Sequence, residues 1–232
     1  MTSRLALDRL RSAQHRREAY VGPWLPEPTT SVATPDELAE RAESLTIGFL
    51  AVLERLGPVE RVVFLLADVF AVPFDEIATV VDKTPRPAAR WPRARRRIRE
   101  ARPRFAPTDE EAWAVTAAFL TAAQQGDLDA LVDLLADDAV AVSDGGADVH
   151  AARRPVVAGR IPRFLVNLTR RLTADDEVIP VAVNGQPALA IRRHGRTTMA
   201  VVVAVADGQV QQVWSILNPD KLARLDAELG PT

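Results

Sequence analysis

The sequence predicts a multidomain chain: an all-α helix-turn-helix domain followed by an α+β domain in which a curved antiparallel sheet wraps on helices. Three observations carry this reading. Apolar residues recur at helical spacing across residues 34–81; the prolines at 103 and 107 close a basic stretch and open an acidic, Ala- and Val-rich half; and Asn184-Gly185, His194-Gly195 and Asp207-Gly208 punctuate β-rich runs as turns. At 232 residues there is room for two domains, each with its own core.

The first segment, residues 4–20, places Leu5, Leu7 and Leu10 among basic side chains and predicts a short helix. It runs into Gly22-Pro23-Trp24-Leu25-Pro26-Glu27-Pro28, where three prolines forbid continuation and predict a stiff linker. Helix signals resume with Thr34 as N-cap, Pro35 at the first helical position, and Asp36 and Glu37 where the helix dipole favours acids. Leu38, Ala42, Leu45, Phe49, Val52, Leu53 and Leu56 follow, up to a stop at Gly57. A second helix starts at Pro58 and carries Val59, Val62, Val63, Leu65, Leu66 and Val69; a third covers residues 74–81. Asp82-Lys83-Thr84 reads as a turn, and Thr84-Pro85 as a fresh cap and first helical residue. A second helix presenting its N-terminal residues to a DNA major groove is the layout of a helix-turn-helix reader.

In the second half, helices are expected over residues 109–125, ending at Gly126, and over 127–136, before a strand at 139–143. A helix at 161–172 precedes strands at 178–183, 188–193, 197–206 and 209–217.

Charge is segregated. Residues 83–104 hold ten Lys or Arg against one acid, about +9 in a chain whose formal net charge is −2. Such a concentration suits a polyanion, because each phosphate neutralised releases condensed counterions; a solvated basic helix is the other reading that charge alone leaves open. The absence of cysteine excludes disulfides and thiolate sites, and His15, His150 and His194 lack metal-ligand spacing. No metal, cofactor, membrane span or secretory leader is expected, and a cytoplasmic location is the default.

Leu56-Gly57-Pro58-Val59-Glu60-Arg61-Val62-Val63-Phe64-Leu65-Leu66, followed by Phe74-Asp75-Glu76-Ile77-Ala78, resembles the C-terminal DNA-binding domain, region 4, of an extracytoplasmic-function sigma factor. The segment from Tyr20 through Pro28 resembles the linker of a subgroup that carries a C-terminal SnoaL-like domain of the nuclear-transport-factor-two-like fold. Ser143-Asp144-Gly145-Gly146, Arg153-Arg154-Pro155-Val156 and Asn218-Pro219-Asp220-Lys221-Leu222 are further matches. The resemblance implies three parts: residues 1–33, the last helix of sigma region 2 plus linker; 34–106, sigma region 4; and 107–232, a SnoaL-like regulatory domain. It implies RNA polymerase core and the −35 promoter element as partners, and an intramolecular contact through which the SnoaL-like domain regulates region 4 in cis. It implies no enzymatic activity.

Two departures from the family pattern shape the expectations. Nearly all of region 2 has no counterpart here, so the polypeptide is expected not to initiate transcription by itself. The recognition helix contains Pro85, Pro87 and Pro92. The first two suit an initial turn, but Pro92 removes a backbone hydrogen bond and crowds the carbonyl of Ala88, which predicts a kink or restart near Trp91-Pro92.

Lys83, Thr84, Arg86 and Arg90 are expected to meet bases and phosphates, and Arg93, Arg95, Arg96 and Arg97 to meet backbone phosphates. In the second domain the regulatory or pocket residues are expected at Asp144, Gly145, Gly146, Trp214, Asn218, Pro219, Asp220, Lys221 and Leu222. Asp144, Asp148, His150 and Trp214 together would line a cone-shaped pocket, which leaves ligand sensing or acid–base catalysis as the alternative use. Asp220 and Lys221 fit better as contacts between the C-terminal tail and the sigma module.

Overall fold

The computed structural model describes residues 20–30, 46–69, 72–73, 76–77 and 108–230. The expected helix before Tyr20, the helix start at Thr34, most of the third helix and the whole basic recognition segment, with its eight expected DNA contacts, lie outside the described residues. The chain divides into two compact units, and the linker residues 21–30 group with the C-terminal one rather than with the N-terminal part expected from sequence.

In the first unit, α1 (Ile47–Arg55), which belongs to it from Gly48 on, and α2 (Pro58–Phe64) meet at Gly57. Pro58 takes the first helical position, where its missing N–H is harmless, and the Gly57 N–H donates to Glu60 Oε2 at 3.0 Å. Phe49, Leu53, Leu56 and Phe64 form a buried cluster in which the Phe49 and Phe64 rings tilt at 54° with centroids 5.8 Å apart. The Arg61 Nε–H donates to the Leu53 carbonyl at 3.0 Å, tying α2 back to α1. The regular helix expected through Val69 instead widens into a π-turn over Leu65–Val69.

The second unit starts with α3 (Asp109–Gln125), held at its N-terminus by a reciprocal Thr108–Glu111 capping box and stopped by Gly126 at φ 73°. After α4 (Leu128–Leu134), capped by Asp127, come β1 (Leu135–Asp144), β2 (Val156–Val157), α5 (Ile161–Thr169), β3 (Asp176–Val183), β4 (Gln186–Arg193), β5 (Arg196–Ala206), β6 (Gln209–Ile216) and α6 (Pro219–Leu229). The sheet order is β2-β1-β6-β5-β4-β3. The three expected turns are two-residue hairpins with positive φ at Asn184, His194 and Asp207 and at the glycine after each, the conformation whose twist matches the flanking strands.

The expected all-antiparallel meander holds for β3 through β6, but β1 joins β6 in parallel. A parallel neighbour needs a long connection, and here everything from β2 to β5 lies between the two. Irregular register in the β1–β6, β4–β5 and β5–β6 pairs marks bulges that bend the sheet.

Both sheet faces are covered. Ala139, Ala141, Val201, Val203 and Val213 pack with Phe119, Leu165 and Val166 of the helices. On the opposite face Ala200, Val202, Trp214 and Ile216 pack with Leu222 and Leu225 of α6 and with Leu25 of the linker. This is why β5 is buried almost without alternation.

Candidate functional site

Strand alternation turns Asp144, the last residue of β1, toward the face shared by α6 and the linker. Its main-chain oxygen accepts from the N–H groups of Leu217 and Asn218 at 2.7 and 3.0 Å, anchoring the strand end to the start of α6. The carboxylate is fully buried and its acceptors are used: Oδ2 takes the Leu25 N–H at 2.7 Å and the Lys221 ammonium at 2.6 Å, and Oδ1 takes the Gly146 N–H at 3.2 Å. Gly145 is required by crowding, since a Cβ there would stand 2.3 Å from the Val149 carbonyl oxygen and 2.8 Å from Ala151 Cβ. Asp-Gly-Gly is thus a buried acceptor followed by the only side-chain-free residue that the returning loop permits.

Lys221 is delivered by the start of α6. Asn218 caps the helix by accepting the Asp220 N–H at 3.0 Å, Pro219 takes the first helical position, and Asp220 sits in the first turn where the dipole favours an acid. Lys221 and Leu222 then fall on the buried side. The ammonium donates to Asp144 and to the Leu25 carbonyl, and lies 3.5 Å from the centroid of the Trp24 ring, a cation–π contact in a dry setting. Leu25 therefore has its N–H and its C=O bonded to the Asp144–Lys221 pair while its side chain fills the core beneath. With 7% exposure at Lys221 and none at Asp144, the pair is a buried, hydrogen-bonded ion pair, of the kind in which losing one partner strands a charge.

The linker is pinned again downstream. Thr29 exchanges hydrogen bonds with Asn184, its N–H to Oδ1 at 3.2 Å and its carbonyl accepting the Asn184 N–H at 2.9 Å, while Thr30 forms an antiparallel bridge to Val183. The Thr30 N–H and hydroxyl both donate to Glu228 Oε2, at 2.6 and 2.8 Å. Burial works against ionisation of Glu228, but the hydrogen bonds from Thr30 and the Arg224 guanidinium outweigh it and hold the carboxyl below its ordinary range. Ile47, which groups with this unit, donates its N–H to Gln186 Oε1 at 2.9 Å.

The structure brings together Asp144, Gly146, Asn218, Lys221 and Leu222, with Trp214 in the same outer core and Pro219 and Asp220 exposed at the helix start. It does not bring Asp144 together with Asp148 and His150. Those two are exposed on the loop after Gly146 and line a cleft of about 220 Å³ beside Val21, Gly22 and Pro23, which neither Asp144 nor Trp214 lines. Trp24, Leu25, Thr30, Asn184 and Glu228 were not anticipated as site residues; an apolar Trp-Leu pair set between prolines was the available signal for the first two. Among the described residues no group of three or more His, Asp or Glu converges as a metal site.

No protein-family model matches the chain. Its sequence is 35% identical over 244 aligned residues to the extracytoplasmic-function RNA polymerase sigma factor SigJ of Mycobacterium tuberculosis, covering 95% of this chain and 76% of that protein. It is 32% identical over 239 aligned residues to a probable sigma factor of the same type, SigI, from the same species, covering 99% and 79%. The crystal structure of M. tuberculosis SigJ superposes with a TM-score of 0.70 at 33% identity, covering 94% of this chain and 79% of that one.

Proposed function

Because this chain belongs to the extracytoplasmic-function RNA polymerase sigma factors, we propose that it engages RNA polymerase core and reads the −35 promoter element through the helix following Thr84, with its SnoaL-like C-terminal unit controlling that activity in cis. The observation that carries the cis control is the capture of the linker. Residues 24–30 are clamped onto the C-terminal unit by the Asp144–Lys221 pair at one end and by Asn184 and Glu228 at the other. Fixing the path of a tether limits how far the segments it joins can travel, so a clamp on the linker is a control on the sigma module.

The basic segment supports DNA reading by its charge: Lys83, Thr84, Arg86 and Arg90 at the helix start suit base and phosphate contacts, and Arg93, Arg95, Arg96 and Arg97 suit backbone phosphates. The reading places the protein in the bacterial cytoplasm, where polymerase and promoter are, and among the described residues no helix is long and apolar enough to cross a membrane. It assigns no turnover. Asp144, the acid on which a catalytic reading depended, has its carboxylate taken up by Lys221, Leu25 and Gly146.

Fluorescence anisotropy of the full chain on a −35 duplex and a random duplex tests the DNA assignment. Arg86→Ala and Arg90→Ala should each lose roughly 1–3 kcal/mol on the promoter duplex only, and Arg95→Ala should lose affinity on both while lowering the salt slope by about one. Equal losses on the two duplexes for Arg86→Ala would overturn it. The clamp is tested by core-polymerase pull-down with the Asp144→Leu, Lys221→Met double variant, which should retain the fold and change the amount of polymerase recovered.

A further inference from the structure

We propose that the C-terminal unit holds a binding site for a small organic carboxylate whose apolar body ends in a second oxygen function, in a cavity behind the linker clamp. A cavity of about 280 Å³ opens between the ends of β1 and β6 and helix α5, on the sheet face opposite Asp144. That is near the lower limit of the roughly 300–1,000 Å³ typical of ligand sites, which fits a compact molecule.

Its floor is chemically unusual for this face. Along β1 the residues turned toward the helices run Ala139, Ala141, Ser143, and along β6 Val213, Ser215. At the same level on two neighbouring strands the apolar pattern switches to hydroxyl, and Ser143 and Ser215 are direct register partners. They are 2% and 1% exposed, and both line the cavity. Two hydroxyls side by side on the floor of an otherwise apolar face offer a donor and an acceptor to the polar end of a small molecule.

The walls and rim narrow the class of occupant. Phe164, Leu168 and Leu217 give an apolar wall, while His150, Asn167 and Arg171 are exposed at the edge. No Asp or Glu lines the cavity, and Arg171 is exposed at its rim. A carboxylate at the rim would meet the planar guanidinium fork, an apolar or aromatic body would lie against Phe164 and Leu217, and a hydroxyl or carbonyl at the far end would reach the paired serines. The site rests on side chains of this unit alone and stands independently of the promoter-reading assignment.

Isothermal titration calorimetry on the full chain with 4-hydroxybenzoate, benzoate and 4-hydroxybenzamide as probes tests it. The expected result is saturable one-to-one binding of 4-hydroxybenzoate, with each of the other two weaker by about tenfold. Arg171→Gln, a surface change with unaltered circular dichroism, should remove the preference for acid over amide, and Ser215→Ala the preference for hydroxybenzoate over benzoate. Binding of none of the three probes, or binding that ignores Arg171→Gln and Ser215→Ala, would overturn the proposal.

Discussion

Ser143 and Asp144 are consecutive residues of one strand, equally removed from solvent, and they live in opposite chemical worlds. Asp144 faces the linker and α6 with its carboxylate bonded to Lys221, Leu25 and Gly146; Ser143 faces α5 and lines the cavity there. The same division recurs next door on β6, where Trp214 packs into the outer core and Ser215 lines the cavity. Period-two alternation makes this possible: a single pair of strands builds a closed clamp on one side and an open site on the other, with one peptide bond between them. What the difference teaches is that burial alone does not identify a structural polar group. What separates the two is what each side chain faces.

The sharpest way to break that comparison is to truncate each neighbour. Asp144→Ala leaves the buried Lys221 ammonium without its counter-charge and the Leu25 N–H without its acceptor, and should cost about 3–5 kcal/mol, read from the midpoint of chemical denaturation of the full chain. Ser143→Ala removes a hydroxyl that lines the cavity and should change stability by less than about 0.5 kcal/mol, in either direction. Comparable losses at the two positions would mean that the hydroxyl is as structural as the carboxylate. Leu25→Ala comes next. It empties a core position on the clamp side, and a loss of about 2 kcal/mol is expected, at the low end for such truncations because the linker can follow inward. Hydrogen exchange at Thr30 should accelerate more than exchange in β5, since the linker opens before the sheet does. Gly145→Ala forces a methyl against the Val149 carbonyl and should cost about 1–2 kcal/mol, with the loop after Gly146 moving rather than the strand.

Legibility in the sequence followed the range of the interaction. The hairpins at Asn184-Gly185, His194-Gly195 and Asp207-Gly208 were readable because two adjacent residues with positive φ leave few alternatives. The helix α6 has local signals in Asn218-Pro219-Asp220, a cap, a first-turn proline and a first-turn acid, although the sequence expectations place no helix there. The sequence marks Asp144 as a pocket residue and Lys221 as a tail contact but does not pair them, because the pairing spans 77 residues and the Leu25 contact 119, beyond any spacing argument. The linker was read as a stiff spacer because of its prolines. Those same prolines, lacking N–H donors, suit a segment that lies on a sheet without joining its ladder, and Pro26 and Pro28 are buried there. The hydroxyl pair was invisible for a further reason: Ser143 and Ser215 become neighbours only through the parallel β1–β6 pairing, which no local pattern encodes.

The smallest predicted effect separates the clamp's downstream pin from the sheet that supports it, by acid. Glu228 has its carboxyl held below the ordinary 4.5, with burial outweighed by the Thr30 and Arg224 hydrogen bonds. Asp176 is held down to about 2 by the Arg193 guanidinium first and then by the Thr173 N–H. A depressed carboxyl contributes its full stabilisation above its unfolded value and loses it as pH falls through the folded one. The Thr30 pin should therefore weaken only at a pH below the ordinary glutamate range, and the Asp176–Arg193 clamp between β3 and β4 should pass its midpoint near pH 2 and be lost only below it. The Thr30 and Thr173 amides each donate directly to the carboxylate concerned, so their NMR shifts report the two events residue by residue. Glu228→Gln keeps an acceptor oxygen for Thr30 and should erase the Thr30 transition while leaving that of Thr173 in place. Coincident transitions at both amides in the parent chain would show instead that the linker and the sheet let go together.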